Sequence, residues 1–242
     1  MPDWRQESQY AFTERLSREQ WAWEFLRRNP DYRREWAAFR STWLELEAAY
    51  GRAPNRDFCQ WKLDPRAWVA AEACPEGDCR IDGDKVLIEC AMGARWGFYK
   101  YPPDPADDDP VGMQRLAWRE VTHEVSILGD GEARCSGSAR LAVCFDLSLP
   151  LREQIDQAKR RLQIEQRRRA KAGDVQLQTV KTLAPRWRRY LRLLDALDEG
   201  VADEAIVRLL YGGDADRLAT DRAEARGLCQ GGYRELLRLP EH

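Results

Sequence analysis

The chemistry most visible in this sequence is cationic. Between Lys159 and Lys171 seven cations, Lys159, Arg160, Arg161, Arg167, Arg168, Arg169 and Lys171, stand against one acid, Glu165. Like charges at this density repel one another unless a polyanion relieves them, so the run predicts contact with phosphates. Cations near a helix C-terminus also interact favourably with the helix dipole, which gives the same residues a structural use. Arg186, Arg188, Arg189 and Arg192 follow in a second group suited to anchoring phosphates, and Arg217, Arg222 and Arg226 in a third. Arg222 and Arg226 are one helical turn apart, a spacing from which guanidinium groups reach guanine edges. The overall charge of −2 hides this segregation, because residues 1–64, 65–150, 151–193 and 194–242 carry net charges of 0, −6, +9 and −5.

Other chemistries have fewer residues to work with. Cys74 and Cys79 lie on a turn, with Cys90 and His123 downstream, the one place where a zinc ion could be shared. A second Cys pair is missing and only two histidines exist, so no metal site is expected. His123 is the sole internal base candidate, and it sits in an alternating pattern that suits a half-buried histidine better than a nucleophile's partner. The acidic loop Tyr101–Pro110 lacks the ligand alternation of a calcium loop. It reads instead as an exposed, mobile segment. No phosphate-cradling glycine loop occurs. The expectation is a protein that is not an enzyme and has no cofactor. The seven scattered cysteines read as reduced thiols, and no apolar run is long enough to span a bilayer, so the expected compartment is the cytoplasm, with no membrane partner.

These side chains need elements to position them. Over residues 1–64, Ser17 with Gln20 forms a candidate capping box, and Asn29 with Pro30 starts a second helix that Gly51 stops. Along that helix Tyr32, Trp36, Phe39, Trp43, Leu46 and Tyr50 recur at spacings of three and four, predicting a buried seam. Asp64 and Pro65 predict a short helix through Ala73. Runs beginning at Val86, Arg95, Trp118 and Ser138 read as strands of a small antiparallel sheet, completing a β-rich region over 65–147. Ser148 and Pro150 open a long basic helix that ends at Gly173 and buries Leu151, Ile155, Ala158 and Leu162, and helix and linker together span 148–184. From Pro185, taken as a first helical position, three helices follow in 185–242. The first ends at Gly200, the second is capped by Asp203 and buries Ile206, Leu209 and Leu210, and the third is capped by Asp214 and runs from Ala215 to Cys229. A turn of a few residues with Gly212 and Gly213 between the last two is the layout of a helix-turn-helix. The expected fold class is α+β, mostly helical: an N-terminal helical hairpin, a small antiparallel β region, a long basic helix and a C-terminal three-helix, helix-turn-helix-like domain.

Two stretches carry a family resemblance. RYLRLLDALDEGVADEAIVRLLYG, followed by a helix and by GGYRELL at 231–237, resembles a small C-terminal domain of regulators of bacterial integrative and conjugative elements, with Gly231, Gly232, Tyr233 and Arg234 its most specific part. WAWEFLRRNPDYRREWAAF, from Trp21 to Phe39, resembles an N-terminal transcriptional regulator-like domain often encoded beside or fused to the first. The pairing implies a helix-turn-helix-like fold and a role similar to activators of excision or transfer genes, whose short single-domain relatives act as antiactivators.

The functional expectation is therefore a DNA-binding transcriptional regulator, an activator of mobile-element genes. Its partner would be double-stranded promoter DNA, with RNA polymerase or a small antiactivator protein as protein partners and a monomer or homodimer as assembly. In this reading Arg186, Arg188, Arg189 and Arg192 anchor phosphates while Arg217, Arg222 and Arg226 read bases. The third helix departs from the usual pattern: it is acidic at Asp214, Asp216, Asp221 and Glu224 and has no Asn or Gln for base edges. That departure keeps open an alternative in which the same fold is a protein-interaction module without direct DNA binding.

Overall fold

Local start and stop chemistry accounts for the first helices of the computed structural model, which describes residues 2–77, 79–107, 116–121 and 140–240. Helix α1 (Arg18–Leu26) opens on the expected capping box: the Ser17 hydroxyl accepts from the Gln20 amide and the Gln20 side chain accepts from the Ser17 amide at 2.8 Å. Helix α2 (Pro30–Tyr50) starts with the Asn29 side chain accepting from the amides of Asp31 and Tyr32, and ends at Gly51, whose φ of 84° would strain any residue with a Cβ. Helix α3 (Phe58–Trp61) follows.

The chain then departs from the pattern read off the sequence. Pro65–Ala67 makes a single 3-10 turn, and Trp68–Ala70 is strand β1 rather than a continued helix. It pairs antiparallel with β3 (Lys85–Leu87), Trp68 opposite Leu87 and Val69 opposite Val86, and β3 pairs on its other edge with β2 (Arg80–Ile81) in the order β1-β3-β2. Only the first two residues of the VLIECA run are strand. From Ile88 the chain turns into helix α4 (Ile88–Trp96), because Ala91, Met92 and Ala94 favour a helix and Gly97 with φ 92° supplies its left-handed cap. Phe98 bridges singly to Trp118 instead of continuing a strand. Residues 140–149 form no assigned strand. The remainder of the runs from Trp118 and Ser138, together with His123, lies outside the described residues.

Helix α5 (Leu151–Ala172) stops at Gly173 as expected, but it has no side-chain cap at its start: the Ser148 hydroxyl donates to Asp146 instead. Helix α6 (Val180–Asp198) begins five residues before Pro185 and carries that proline inside. The ring removes one backbone hydrogen bond. The helix continues because Val180 is buried and Leu183 and Ala184 pack on the main core. Helix α7 (Asp203–Leu210) has Ala202 at its cap, so Asp203 is free for another role, and Leu209 is left exposed. Helix α8 (Ala215–Gly227) is capped by the Asp214 carboxylate, which accepts from the Arg217 amide at 2.9 Å. A π-turn at Leu228–Gly232, with Gly231 at φ 142°, leads into helix α9 (Tyr233–Leu236). The fold is α+β and mostly helical.

Two compact units result: Met1–Thr122 with Val180–His242, and His123–Thr179. In the first, the main core joins α1, α2, α6 and α9 through Trp21, Trp23, Phe25, Tyr32, Trp187, Tyr190 and Tyr233. A second cluster under the sheet holds Trp43, Trp61, Val86 and Cys90. A third places Trp4, from the N-terminal segment, among Leu193, Ile206 and Leu218 of the C-terminal helices. The seam of α2 is thus core at Tyr32, Trp43 and Leu46 and half-buried at Trp36, Phe39 and Tyr50.

The described part of the acidic loop is pinned rather than loose. The Pro102, Pro103 and Pro105 carbonyls accept hydrogen bonds from Trp36, Tyr32 and Arg27. Under the main core lies a buried ionic group. Arg28 donates to both Asp195 carboxylate oxygens at 2.7 and 2.9 Å and to Glu24 at 2.5 Å, Arg27 also reaches Glu24, and the Tyr10 hydroxyl donates to Asp195 at 2.5 Å.

Candidate nucleic-acid interface

Helix α5 has no buried residue. Its expected buried side is exposed, with Leu151, Ile155 and Leu162 at 45%, 53% and 38% exposure. Ile155, Ala158 and Leu162 line a shallow groove of about 520 Å³ with Leu141 and Phe145 of the preceding segment. The opposite side is cationic. At 100° per residue Arg160, Arg167 and Lys171, spaced i, i+7, i+11, fall on one stripe about half a turn from the apolar one. Glu165 is occupied by Arg168 at 2.7 Å and Arg169 at 2.8 Å, and the hydrogen bonds from Arg168 and then Arg169 hold its carboxyl down to about 2. Lys159, Arg160, Arg161, Arg167 and Lys171 carry no acid partner among the described residues and are exposed. The helical rise puts Arg160 about 10 Å from Arg167 and Arg167 about 6 Å from Lys171 along the axis.

The second cationic group has a different fate. Arg188 of α6 donates to Thr13 at 2.9 Å and pairs with Glu14, while Arg192 donates to the Trp4 carbonyl at 2.9 Å and pairs with Glu7 at 3.1 Å. Arg189 pairs with Asp221 at 2.7 Å, and Arg186 with Glu224. All four therefore hold neighbouring elements: two strap the N-terminal segment to α6, and two bind α8 to it. Sequence reasoning missed this role because the partners lie up to 188 positions away.

The same pairs account for the acidity of α8. Asp214 caps the helix, Asp221 is 4% exposed and meets Arg189, and Glu224 accepts from Arg186 and, at 2.5 Å, from the Tyr190 hydroxyl. Three of the four acids that argue against base reading are thus engaged within the fold, leaving Asp216. The arginines are not gathered, however. Arg222 donates to Asp203 of α7, and its side chain is 23% exposed. Arg217 and Arg226 are exposed with no acid partner among the described residues, but nine positions on a helix put them on opposite sides. One groove can meet Arg226 with Arg222 beside it, not all three.

The cysteines correct the expectation of uniform thiols. Cys79 and Cys90 are bonded to each other, with Cα atoms 5.9 Å apart. Among the described residues no group of three His, Cys, Asp or Glu side chains is placed to hold a metal ion. Cys74 and Cys229 are buried free thiols, whereas Cys59 and Cys144 are exposed. Burial pushes the Cys229 thiol up to about 12, so almost none of it is thiolate near neutrality. Iodoacetamide at pH 8 should therefore alkylate Cys59 and Cys144 in the folded protein and reach Cys229 only in denaturant. Peptide mapping showing early modification of Cys229 would contradict this packing.

Residues 3–62 match the family described as the proteobacterial transcriptional regulator-like domain. The match covers the N-terminal segment, α1, α2 and α3, and it suggests a regulatory rather than a catalytic role. No curated protein and no solved structure matches the chain. No helix among the described residues is long and apolar enough to cross a membrane.

Proposed function

We propose that the protein is a DNA-binding transcriptional regulator whose affinity comes chiefly from helix α5. The observation that carries the reading is the exposed stripe of Arg160, Arg167 and Lys171 on a helix with no buried residue, flanked by Lys159 and Arg161, none of them neutralised by an acid among the described residues. Five solvated cations at this density gain free energy by releasing the counterions of a polyanion. Helices α7 and α8 with their Gly212–Gly213 turn are read as the helix-turn-helix pair, with Arg226 as its base-reading residue. The α6 arginines, which have internal partners, contribute orientation rather than phosphate contact. In keeping with the resemblance of both halves of the chain, the regulator is an activator of mobile-element excision or transfer genes and acts in the cytoplasm on promoter DNA.

A second reading has its own support. The exposed apolar residues of α5 and of the segment before it suit a protein contact, with RNA polymerase, a small antiactivator or a second copy as partner. Gel shifts with DNA upstream of the neighbouring genes separate the readings. Arg226→Ala should cost about 1 to 3 kcal/mol on the specific site with less effect on random duplex. Failure of the wild type to bind any duplex at low salt would leave the protein-contact reading in its place.

A further inference from the structure

Between α2, β1 and α4 lies an open groove of about 820 Å³ that the regulator reading leaves unused. Its walls are apolar, chiefly Phe39, Trp68, Val69, Ile88, Ala91 and Met92, and one carboxylate, Glu76, and three guanidinium groups line it. Two are already matched by acids: Arg66 pairs with Asp64 at 2.7 Å and with Glu45 at 3.1 Å, and Arg95 pairs with Glu35 at 2.8 Å. Arg234 of α9 is different. Its Nη2 donates to the Arg95 carbonyl at 2.6 Å, its Nε is buried beside Gly97 with no acceptor, and it has no acid partner among the described residues. A guanidinium presents five N–H donors and pairs best with a planar carboxylate that takes two of them. A cation without its anion at the edge of an apolar groove is an incomplete arrangement.

We propose that the groove binds a small amphipathic carboxylate, an aryl or medium-chain acyl body with one anionic head that closes on Arg234. The volume lies in the range of small-molecule sites, about 300 to 1,000 Å³, and of the cationic groups on its apolar lining Arg66 and Arg95 are matched by acids, which leaves Arg234 to orient an anionic head. An apolar body removes the half-buried Trp68, Val69 and Ile88 from water, and the head supplies the missing partner. Arg234 belongs to the GGYR run, and the groove gives that run's arginine a ligand to hold, as its tyrosine is fixed by donating to the Trp96 carbonyl at 3.0 Å. The site stands independently of the DNA reading, since none of the cations assigned to DNA lines it.

The test uses the full-length protein and 1-anilinonaphthalene-8-sulfonate, an aryl body with a single anionic head, followed by fluorescence titration. The wild type should show a saturable site from which decanoate displaces the probe and decanol does not. Arg234→Gln should raise Kd about tenfold or more, the loss of one charge-assisted hydrogen bond. Ala91→Phe, which fills the groove from α4 and leaves the Arg234 charge in place, should abolish binding while leaving the melting temperature near that of the wild type. If Arg234→Gln disturbs the fold by circular dichroism, Arg234→Lys replaces it and should weaken binding while retaining a preference for decanoate. No saturable binding to the wild type, equal displacement by decanol, or affinity unchanged in Arg234→Gln and Ala91→Phe would each overturn the proposal.

Discussion

Asp195→Ala is expected to destabilise the protein by about 3 to 5 kcal/mol, the usual result of removing one partner of a buried ion pair. The Arg28 and Asp195 side chains are 3% and 2% exposed, and Glu24 beside them 6%. With Arg27, the group holds two guanidinium and two carboxylate groups, so its charges balance. Without Asp195 a positive charge is left buried in excess, and the Tyr10 hydroxyl loses its acceptor. Burial and then the Asp195 charge push that hydroxyl well above its ordinary value, so it remains a donor at any physiological pH. Most of the cost comes from the abandoned arginine. Arg28→Met combined with Asp195→Leu should therefore recover much of the stability lost in either single variant. Urea denaturation gives the comparison, and a double variant no more stable than Asp195→Ala would show that the pair is not what matters there. The group also ties α1 and the turn that follows it to α6 over 167 positions of sequence.

Trp43→Ala is expected to cost a similar amount, about 3 to 5 kcal/mol, as for large buried aromatics generally. Trp43 is 7% exposed and meets Trp61 edge-on at 5.0 Å and Tyr101 at 5.8 Å, with the Arg56 guanidinium 4.6 Å above its ring. Removing it takes the centre from the cluster under the sheet. Trp36 has the same place in the α2 pattern but is only half-buried, and its Nε1 donates to the Pro102 carbonyl at 3.3 Å. Trp36→Ala should cost roughly half as much, in proportion to the apolar surface it hides. Equal shifts of the two denaturation midpoints would contradict the burial described.

What can be read from the sequence is the chemistry that acts over a few residues. The Ser17–Gln20 box, the Asn29–Pro30 start, the Asp214 cap and the stops at Gly51, Gly173 and Gly200 all depend on neighbours within a turn, and each stands where the pattern puts it. Short apolar runs are ambiguous: VLIECA taken alone suits a strand or a buried helix, and the helix-favouring Met92 and Ala94 with the Gly97 cap beyond it decide that Ile88 starts a helix. Pro185 misleads because a proline reads as a helix start, while buried Val180 and the packing of Leu183 carry the helix through it.

Charge density is the least informative signal. Arg188 and Arg192 look like phosphate ligands until Thr13, Glu7 and the Trp4 carbonyl are found beside them, and no local pattern announces partners so distant. Asp221 and Glu224 make α8 look hostile to DNA for the same reason. On α5 the opposite holds: five cations have no acid partner among the described residues, and the one acid between Lys159 and Lys171, Glu165, is already engaged by Arg168 and Arg169. The charged side of α5 is legible as a feature of the helix, apart from the burial expected of its other side.

The central claim is that the α5 stripe meets phosphates, and the salt dependence of duplex binding tests it most directly. Fluorescence anisotropy with a labelled duplex, titrated across a salt series, gives the slope of log K against log salt for the wild type and for a variant carrying Arg160→Ala, Arg167→Ala and Lys171→Ala. Every phosphate-binding cation removed should reduce the slope by about one, so the variant should be shallower by about three and weaker on every sequence. A variant with the wild-type slope, or a wild type that binds no duplex at low salt, would contradict it.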